Sequence, residues 1–411
     1  MYYFFGAGVN CNAAIEFFRQ ENIKAIIDNS VVRIGSKFEG IPVISFNDFQ
    51  KVWNGETIVI TAYVGSYEIV KQLRKAKIQN YYVCPYMQTG LFSYDLIFEI
   101  CDLDSYSSIA IYDKNPVGEM IAYEIKKRKG NSINVYFVGD DLKGAERIKE
   151  TDLLLNINEK YTIDGDVSGY TKIINLYKEL EQQKNIRYDY LLKYKNLHCG
   201  KRCFIIGNGP SLSVQDLEKL YLSGEISFGS NKIYNIFNST RWRPNYYVIG
   251  DSIVYSNNKG NIPLDSICFI RDFYGKSSRK DSVNWYPSKG ERYYPGYPQF
   301  SDDLLQGVYG GRTVTYDMLQ IAVYMGFKEL YLLGVDFSWG EGKNSAHFYK
   351  NDDEDPLIKE AMKYKDEQRH AYLTAKRYAD THDIKIYNAT RGGNLDIFER
   401  VSFDVLFSET Y

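Results

Sequence analysis

Short apolar runs separated by glycine turns and amphipathic stretches set the rhythm of this chain. In the first 95 residues the runs 2–5, 23–27, 41–44, 57–62 and 81–84 read as strands. Helical spacing falls between them, through Ala14, Ile15 and Phe18 and again over 67–75. Strands alternating with helices predict a parallel sheet covered on both faces. A shorter α/β pattern follows, with strands at 108–112, 134–138 and 153–157 and a helix at 118–128; it extends the first sheet or forms a companion to it. Residues 170–195 then read as one highly charged helix. Ile174, Leu176, Leu180, Leu191 and Leu192 give it only a partial apolar stripe, which suits a connecting or oligomerising helix. From Lys201 the alternation resumes, with strands at 203–206, 226–229, 246–249, 329–333 and 384–387 and helices from 314 to 326 and over 357–381. Between them, 256–309 reads as loop, carrying Pro263, Pro287, Pro295 and Pro298 and the basic Arg271, Arg279 and Arg292, as a lid or acceptor surface would.

The polar residues that directly follow strands carry the candidate chemistry, because ligand sites of parallel sheets form at the carboxyl edge. The stretch CFIIGNGPSL, 203–212, is a buried strand, a turn on Gly207 and Gly209, and a helix start, with Pro210 at a first helical position and Ser211 and Ser213 as caps. A helix N-terminus behind such a turn suits an anion such as phosphate. No GK[ST] follows and Leu212 stands where a third glycine would be, so neither nucleotide fingerprint is complete, and such a turn also occurs with nothing bound. Asn208, Asn231 and Asp251 each close a strand. A second glycine turn, Gly310-Gly311-Arg312-Thr313, opens the helix at 314, where Arg312 offers charge. The strand at 329–333 runs into Gly334-Val335-Asp336, and a loop rich in glycine and small polar residues, read as mobile, leads to His347. At the N-terminus, Gly6-Ala7-Gly8 supplies two of three dinucleotide-fingerprint glycines, with Cys11 in the third position and Asp28 near the expected distance. The expected fold is α/β: two Rossmann-like parallel-sheet domains joined by a helical connector, divided as 1–165, 166–197 and 198–411.

Composition narrows the function. A formal net charge of -2 argues against a dedicated nucleic-acid binder. Tyrosine is abundant, with pairs at 246–247 and 293–294; such rings suit sugar stacking as well as ordinary half-buried packing. There are four histidines, so general-base chemistry falls to His198, His347, His370 or His382. The six cysteines follow no framework, and Cys199 and Cys203 lack a second pair for zinc. No apolar run approaches the ~20 residues of a membrane span. The opening MYYFFGAG reads as a strand and carries no leader signature, so a cytoplasmic protein is expected, with at most peripheral contact at the inner membrane face.

In the first 85 residues, the phrases FFGAG, KAIIDNS and GIPVISFNDF resemble the small Rossmann-like module attached to bacterial sugar-modifying enzymes and glycosyltransferases. In the second half, GNGPSL, Asn231, GGRTV, FKELYLLGVDFSWGEGKNSAH and IYNATRGGNLDIFERVSFDVLF resemble the bacterial sialyltransferases of glycosyltransferase family 42. They resemble equally that family's relatives, the MptE-like domains and the motility-associated flagellin glycosyltransferases. The resemblance implies an enzyme that moves a sugar, such as sialic or another nonulosonic acid, from a CMP-activated donor to an oligosaccharide or lipid-linked glycan of the cell surface. By the resemblance, Gly207, Asn208, Gly209, Pro210, Ser211 and Asn231 hold the CMP part of the donor. Gly311 and Thr313 then lie beside the donor phosphate, with Asp251 and Gly334 completing the rim. His370 is the nearest equivalent of the family's general base, His347 is its rival, and Asp336 and Arg312 complete the catalytic set. The sialyltransferases carry a tyrosine two residues after the GxD aspartate, and Ser338 stands there instead, followed by Trp339. That departure leaves open the donor sugar and whether a divalent metal takes part. No cofactor is obligatory on this reading, and homo-oligomerisation is left open. Two alternatives stand beside it: an MptE-like diphosphokinase acting on a pterin with ATP and magnesium held by Asp251 and Asp336, and a non-catalytic nucleotide-sugar-binding protein.

Overall fold

The computed structural model describes the chain apart from residues 63–64, 86, 88–91, 139–150, 159–162, 164–166, 168, 264, 273–282, 291–298, 339–346, 350–363 and 409–411; of 9, 258, 259 and 290 only the backbone is described. The protein is α/β and built on parallel sheets, in two compact units that divide after Arg187. Among the described residues no helix is long and apolar enough to cross a membrane.

The first unit opens with β1 (Tyr2–Phe5), α1 (Val9–Phe18), β2 (Ile23–Ile27), β3 (Lys37–Phe38), β4 (Ile41–Ile44), α2 (Phe46–Val52), β5 (Thr57–Ile60), α3 (Ser66–Lys75) and β6 (Tyr81–Val83). Its sheet runs β3-β4-β2-β1-β5-β6, parallel except for the β3–β4 pair. At the turn after β1, Gly6 has φ +106°, and a Cβ there would stand 2.3 Å from that of Ala62. Asp28 accepts from the Ala7 amide at 2.9 Å and the Ser30 amide at 2.8 Å, so its two oxygens tie together the turns after β1 and β2.

The unit continues with α4 (Tyr94–Ile100), β7 (Ser108–Tyr112), α5 (Pro116–Lys129), β8 (Asn134–Val138), β9 (Thr151–Asn156), β10 (Tyr170–Asn175) and α6 (Leu176–Arg187). Here the pattern was a companion, not an extension: β10-β9-β7-β8 form a separate parallel sheet, and one core joins Phe4 and Ile26 to Ile111, Leu155 and Leu180. The stretch expected to be one helix over 170–195 begins as a strand. Thr171, Ile173 and Ile174 are β-branched, and as β10 they pair with β9 at the sheet edge, where Lys172 stays in water. The α-helix itself spans only Leu176–Arg187.

The second unit holds β11 (Arg202–Ile206), α7 (Val214–Leu222), β12 (Ser227–Ser230), β13 (Tyr246–Ile249), α8 (Ser252–Asn258), β14 (Ile267–Arg271), β15 (Asn284–Tyr286), β16 (Ser288–Gly290), β17 (Val308–Tyr309), α9 (Val314–Tyr324), β18 (Glu329–Leu333), α10 (Lys365–Thr381), β19 (Lys385–Asn388) and β20 (Glu399–Arg400). Its parallel sheet runs β15-β14-β13-β12-β11-β18-β19-β20. Alternate residues of β11 feed opposite faces: Cys203 and Ile205 enter one core, Phe204 and Ile206 the other. The region expected to be loop, 256–309, supplies β14 and β15 to this sheet and β16 and β17 to a two-stranded one. Three of these strands have two or three residues, too few to show a period, and Arg271 ends β14 instead of lying in a loop.

At the amino edge, the Nε2 of His198 lies 2.6 Å from the Tyr246 hydroxyl, and its ring stacks on Phe327 at 4.7 Å. Its Nδ1 is buried and has no hydrogen-bond partner among the described residues. Burial and the Lys201 charge hold this imidazole below its ordinary value. As pH falls below about 6.5 the unfolded chain takes up the proton first, so stability is lost from there downward through the folded pKa. The variant His198→Gln is expected to flatten the fall of the urea midpoint between pH 7 and 5.5; an unchanged slope would rule this histidine out as the cause.

Candidate functional site

The order of the second sheet reverses at β11. From there the chain winds outward through β12–β15 on one side and returns as β18–β20 on the other, which opens a crevice at the carboxyl ends of β11 and β18. The GNGPS turn and the Gly334-Val335-Asp336 turn meet there. The amides of Gly207 and Gly209 donate to Leu333 and Gly334 carbonyls, each at 2.8 Å. A Cβ on Gly207 would stand 2.4 Å from the Gly334 carbonyl oxygen, and one on Gly209 would stand 1.9 Å from Asp336 Oδ2, so both positions exclude a side chain. Asp336 is buried, and its Oδ2 accepts from Ser211 Oγ at 2.8 Å and the Ser211 amide at 3.4 Å. Burial pushes its carboxyl above the ordinary range, against the pull of the Ser211 bonds. The polar residues after β19 brace the same turn: Thr390 Oγ1 accepts from the Val335 amide at 3.1 Å, and the Asn394 amide donates to the Asp336 carbonyl at 2.7 Å.

The helix behind this turn starts later than its sequence suggests. Pro210 and Ser211 lie in the turn, and Ser213 caps α7 by accepting from the Asp216 amide at 3.1 Å. Asp216 sits in the first helical turn, and both its oxygens are held by Arg391 at 2.8 Å. The first turn of this helix therefore carries its own ion pair, Asp216 with Arg391.

The asparagines give a clearer signal. Asn208 Nδ2 donates to the Ser230 carbonyl at 3.1 Å, which joins the end of β11 to the end of β12 and sets Asn208 beside Asn231. Asn231 takes φ +51°, and its carbonyl is held by the Tyr247 hydroxyl. The Oδ1 atoms of Asn208 and Asn231 are both buried and accept no hydrogen bond among the described residues. Two orphan acceptors side by side are unusual in a folded protein, where buried polar atoms are nearly always paired.

Across this pair lies the short segment 347–349. The Phe348 amide donates to the Asn208 carbonyl at 3.0 Å, and the His347 and Tyr349 rings stack at 4.9 Å, 7° from parallel. The segment therefore brings His347 to the GNGPS turn; the loop before it, 339–346, lies outside the described residues, as do Tyr293 and Tyr294. Ser338 is half-buried, two residues past Asp336.

The second glycine turn forms a neighbouring cluster. Thr313 caps α9, accepting from the Thr315 amide at 3.3 Å, and Gly311 leaves no room for a Cβ, which would lie 2.6 Å from the Tyr316 ring. Arg312 pairs with Glu367 at 2.8 Å and lies over the Tyr364 ring, so its charge is turned toward the start of α10. The Tyr372 phenol is pushed up by burial and opposed by hydrogen bonds with Thr313 and Thr315. Tyr372 also packs on Phe337, next to Asp336. Thr313 thus reaches the crevice through two rings and not by direct contact. His370 lies on α10 beside Ala371, the residue that closes on Gly311.

Asp251 is exposed, and its Oδ1 caps α8 through the Ile253 and Val254 amides, each at 2.9 Å. Among the described residues no group of three His, Cys, Asp or Glu side chains is placed to hold a metal ion. Sequence reasoning missed one buried cluster altogether. Arg271 Nη2 donates to Asp317 Oδ1 and Oδ2 at 2.6 and 2.7 Å, and the Tyr286 hydroxyl donates to Asp317 Oδ2 at 2.6 Å. Asp317 lies in the first turn of α9, and a Cβ on Gly250 would stand 2.6 Å from its Oδ2. The cluster therefore locks the ends of β13, β14 and β15 to the helix that Thr313 caps. The one available signal was an acidic residue four positions after a helix cap.

Three comparisons bear on this geometry. Residues 174–342 match the family model of 6-hydroxymethylpterin diphosphokinase MptE-like proteins. No curated protein matches the chain. Among solved structures, the MAf glycosyltransferase of Magnetospirillum magneticum AMB-1 aligns with a TM-score of 0.32 and 13% identity over 72% of this chain. That alignment spans about half of the other protein, 54% of its length. From the end of the first unit to just past Asp336, a span that includes the GNGPS turn, Asn231 and Thr313, the chain is similar to the MptE-like family.

Proposed function

We propose that the second unit is a glycosyltransferase taking a CMP-activated sugar, with the nucleotide seated in the crevice between β11 and β18. The observation that carries this reading is the pair of orphan amide oxygens of Asn208 and Asn231. A cytosine amine and ribose hydroxyls are donors of the kind these acceptors lack. The acceptor is a hydroxyl of a surface glycan, and His347, brought to the Asn208 carbonyl by its own segment, is the base. The imidazole takes the hydroxyl proton as the oxygen bonds to the anomeric carbon, and the bond from that carbon to the phosphate oxygen breaks, releasing CMP. A fixed donor facing the charge left on the phosphate acts most strongly there; the Gly207, Gly209 and Ser211 donors of the turn are already spent on Leu333, Gly334 and Asp336.

The family description favours one other reading, pyrophosphate transfer from ATP to a pterin. That reading needs a metal, which would have to share Asp336 with Ser211, bonded through Oδ2, and Asp251 with α8, capped through Oδ1. Thermal unfolding separates the readings, since a ligand that binds only the folded state raises the midpoint. CMP alone is expected to stabilise the protein, and Asn208→Ala is expected to abolish that shift. Stabilisation by ATP with magnesium and not by CMP decides for the diphosphokinase; no response to either leaves a binding or scaffold protein.

A further inference from the structure

Directly after Asn231, Lys232 is half-buried and forms no ion pair among the described residues. Its ammonium lies over the Tyr349 ring at 6.0 Å, the outer limit of a cation–π contact. Tyr349 follows Phe348, whose amide is bonded to the Asn208 carbonyl. One contact, the Tyr349 ring, places this cation, and it sits in the chain beside Asn231 and next to the segment that Phe348 bonds to the Asn208 turn. The group given against this lysine is an aromatic face, and the residue before it carries one of the two buried amide oxygens. Arg391 is paired with Asp216 and Arg312 with Glu367, so both of these arginines already have carboxylate partners.

We propose that Lys232 is the anion ligand of this site and binds the phosphate of the nucleotide whose donors meet Asn208 and Asn231. This inference rests on reading the crevice as a nucleotide site. Lysine suits the task as a point charge with three donors that can follow a phosphate as it separates from the sugar. The base and ribose are then read by the asparagine oxygens and the phosphate by the ammonium, so the two contributions can be measured apart.

Calorimetric titration of the wild type, Lys232→Ala and Lys232→Arg with CMP, cytidine and inorganic pyrophosphate tests this. Lys232→Ala is expected to weaken CMP about 10- to 100-fold, the range of one charge-assisted hydrogen bond, and to leave cytidine within about twofold. Lys232→Arg is expected to recover most of the loss, and Lys201→Ala, at the opposite edge of the sheet, to change nothing. Unchanged cytidine binding shows that the alanine variant is folded. Equal loss of CMP and cytidine, or no loss of either, overturns the proposal, as does a wild type that binds neither CMP nor pyrophosphate. A wild type that binds pyrophosphate through Lys232 but not CMP keeps Lys232 as the anion ligand and removes the cytidine reading instead.

Discussion

Replacing Asp317 by alanine is expected to cost the second unit about 3–5 kcal/mol, the usual penalty for removing one partner of a buried ion pair. Asp317 is 1% exposed and receives both Arg271 and the Tyr286 hydroxyl. Without it, the mostly buried Arg271 loses the carboxylate that holds its guanidinium, and the tyrosine hydroxyl loses its short bond. Asp317→Asn is expected to cost less, because the amide oxygen still accepts. The surface pair Lys376–Asp380, at 3.3 Å with both side chains about half exposed, provides the contrast: Asp380→Ala is expected to fall within about 0.5 kcal/mol of wild type. Urea denaturation followed by hydrogen exchange in β13, β14 and β15 reads this unit by itself. A loss below about 1 kcal/mol for Asp317→Ala would mean that the cluster does not anchor α9 to the sheet.

Loss of His347 is expected to be the largest effect on activity. As the base of the proposed transfer it contributes about 10²–10⁴-fold, so His347→Ala is expected to lower kcat by that factor while CMP binds as before. The rate of CMP release from CMP-activated nonulosonic acids, measured across pH, is the appropriate readout. The variant is also expected to lose the limb of the pH profile that reports a titrating base. His370→Ala is expected to lower kcat less than about tenfold, because His370 lies on α10 beside the Gly311 contact and not on the segment bonded to Asn208. The reverse ranking of the two histidines would sink the assignment and move the base to α10.

Much of the architecture was legible before any coordinates. The β11 and β18 strands are near-continuous apolar runs that end in glycine and a polar residue, because a strand buried on both faces has no other way to announce itself. Gly207 and Gly209 stand out in such a turn, and the Cβ clearances at Gly334 and Asp336 give the reason. What local pattern misjudged was short or edge structure. β15 and β17 have three and two residues, and β10, a solvated edge strand carrying Lys172, runs straight into a charged helix, so that a one-dimensional reading takes the two for one helix.

The sequence by itself determined which residues close strands, and so which side chains stand at the carboxyl rim: Asn208, Asn231, Asp251 and Asp336. A strand's end is a local property of its apolar run, and no distant partner is needed to fix it. Which of those side chains face a ligand was decided only by the tertiary structure, because that depends on what else has already claimed their hydrogen bonds. Asp336 is taken by Ser211, Asp251 by α8 and Asp216 by Arg391, 175 positions away in the chain. The Asn208 and Asn231 amide oxygens are buried and accept no hydrogen bond among the described residues, and pairing of that kind is settled by packing between segments far apart in sequence.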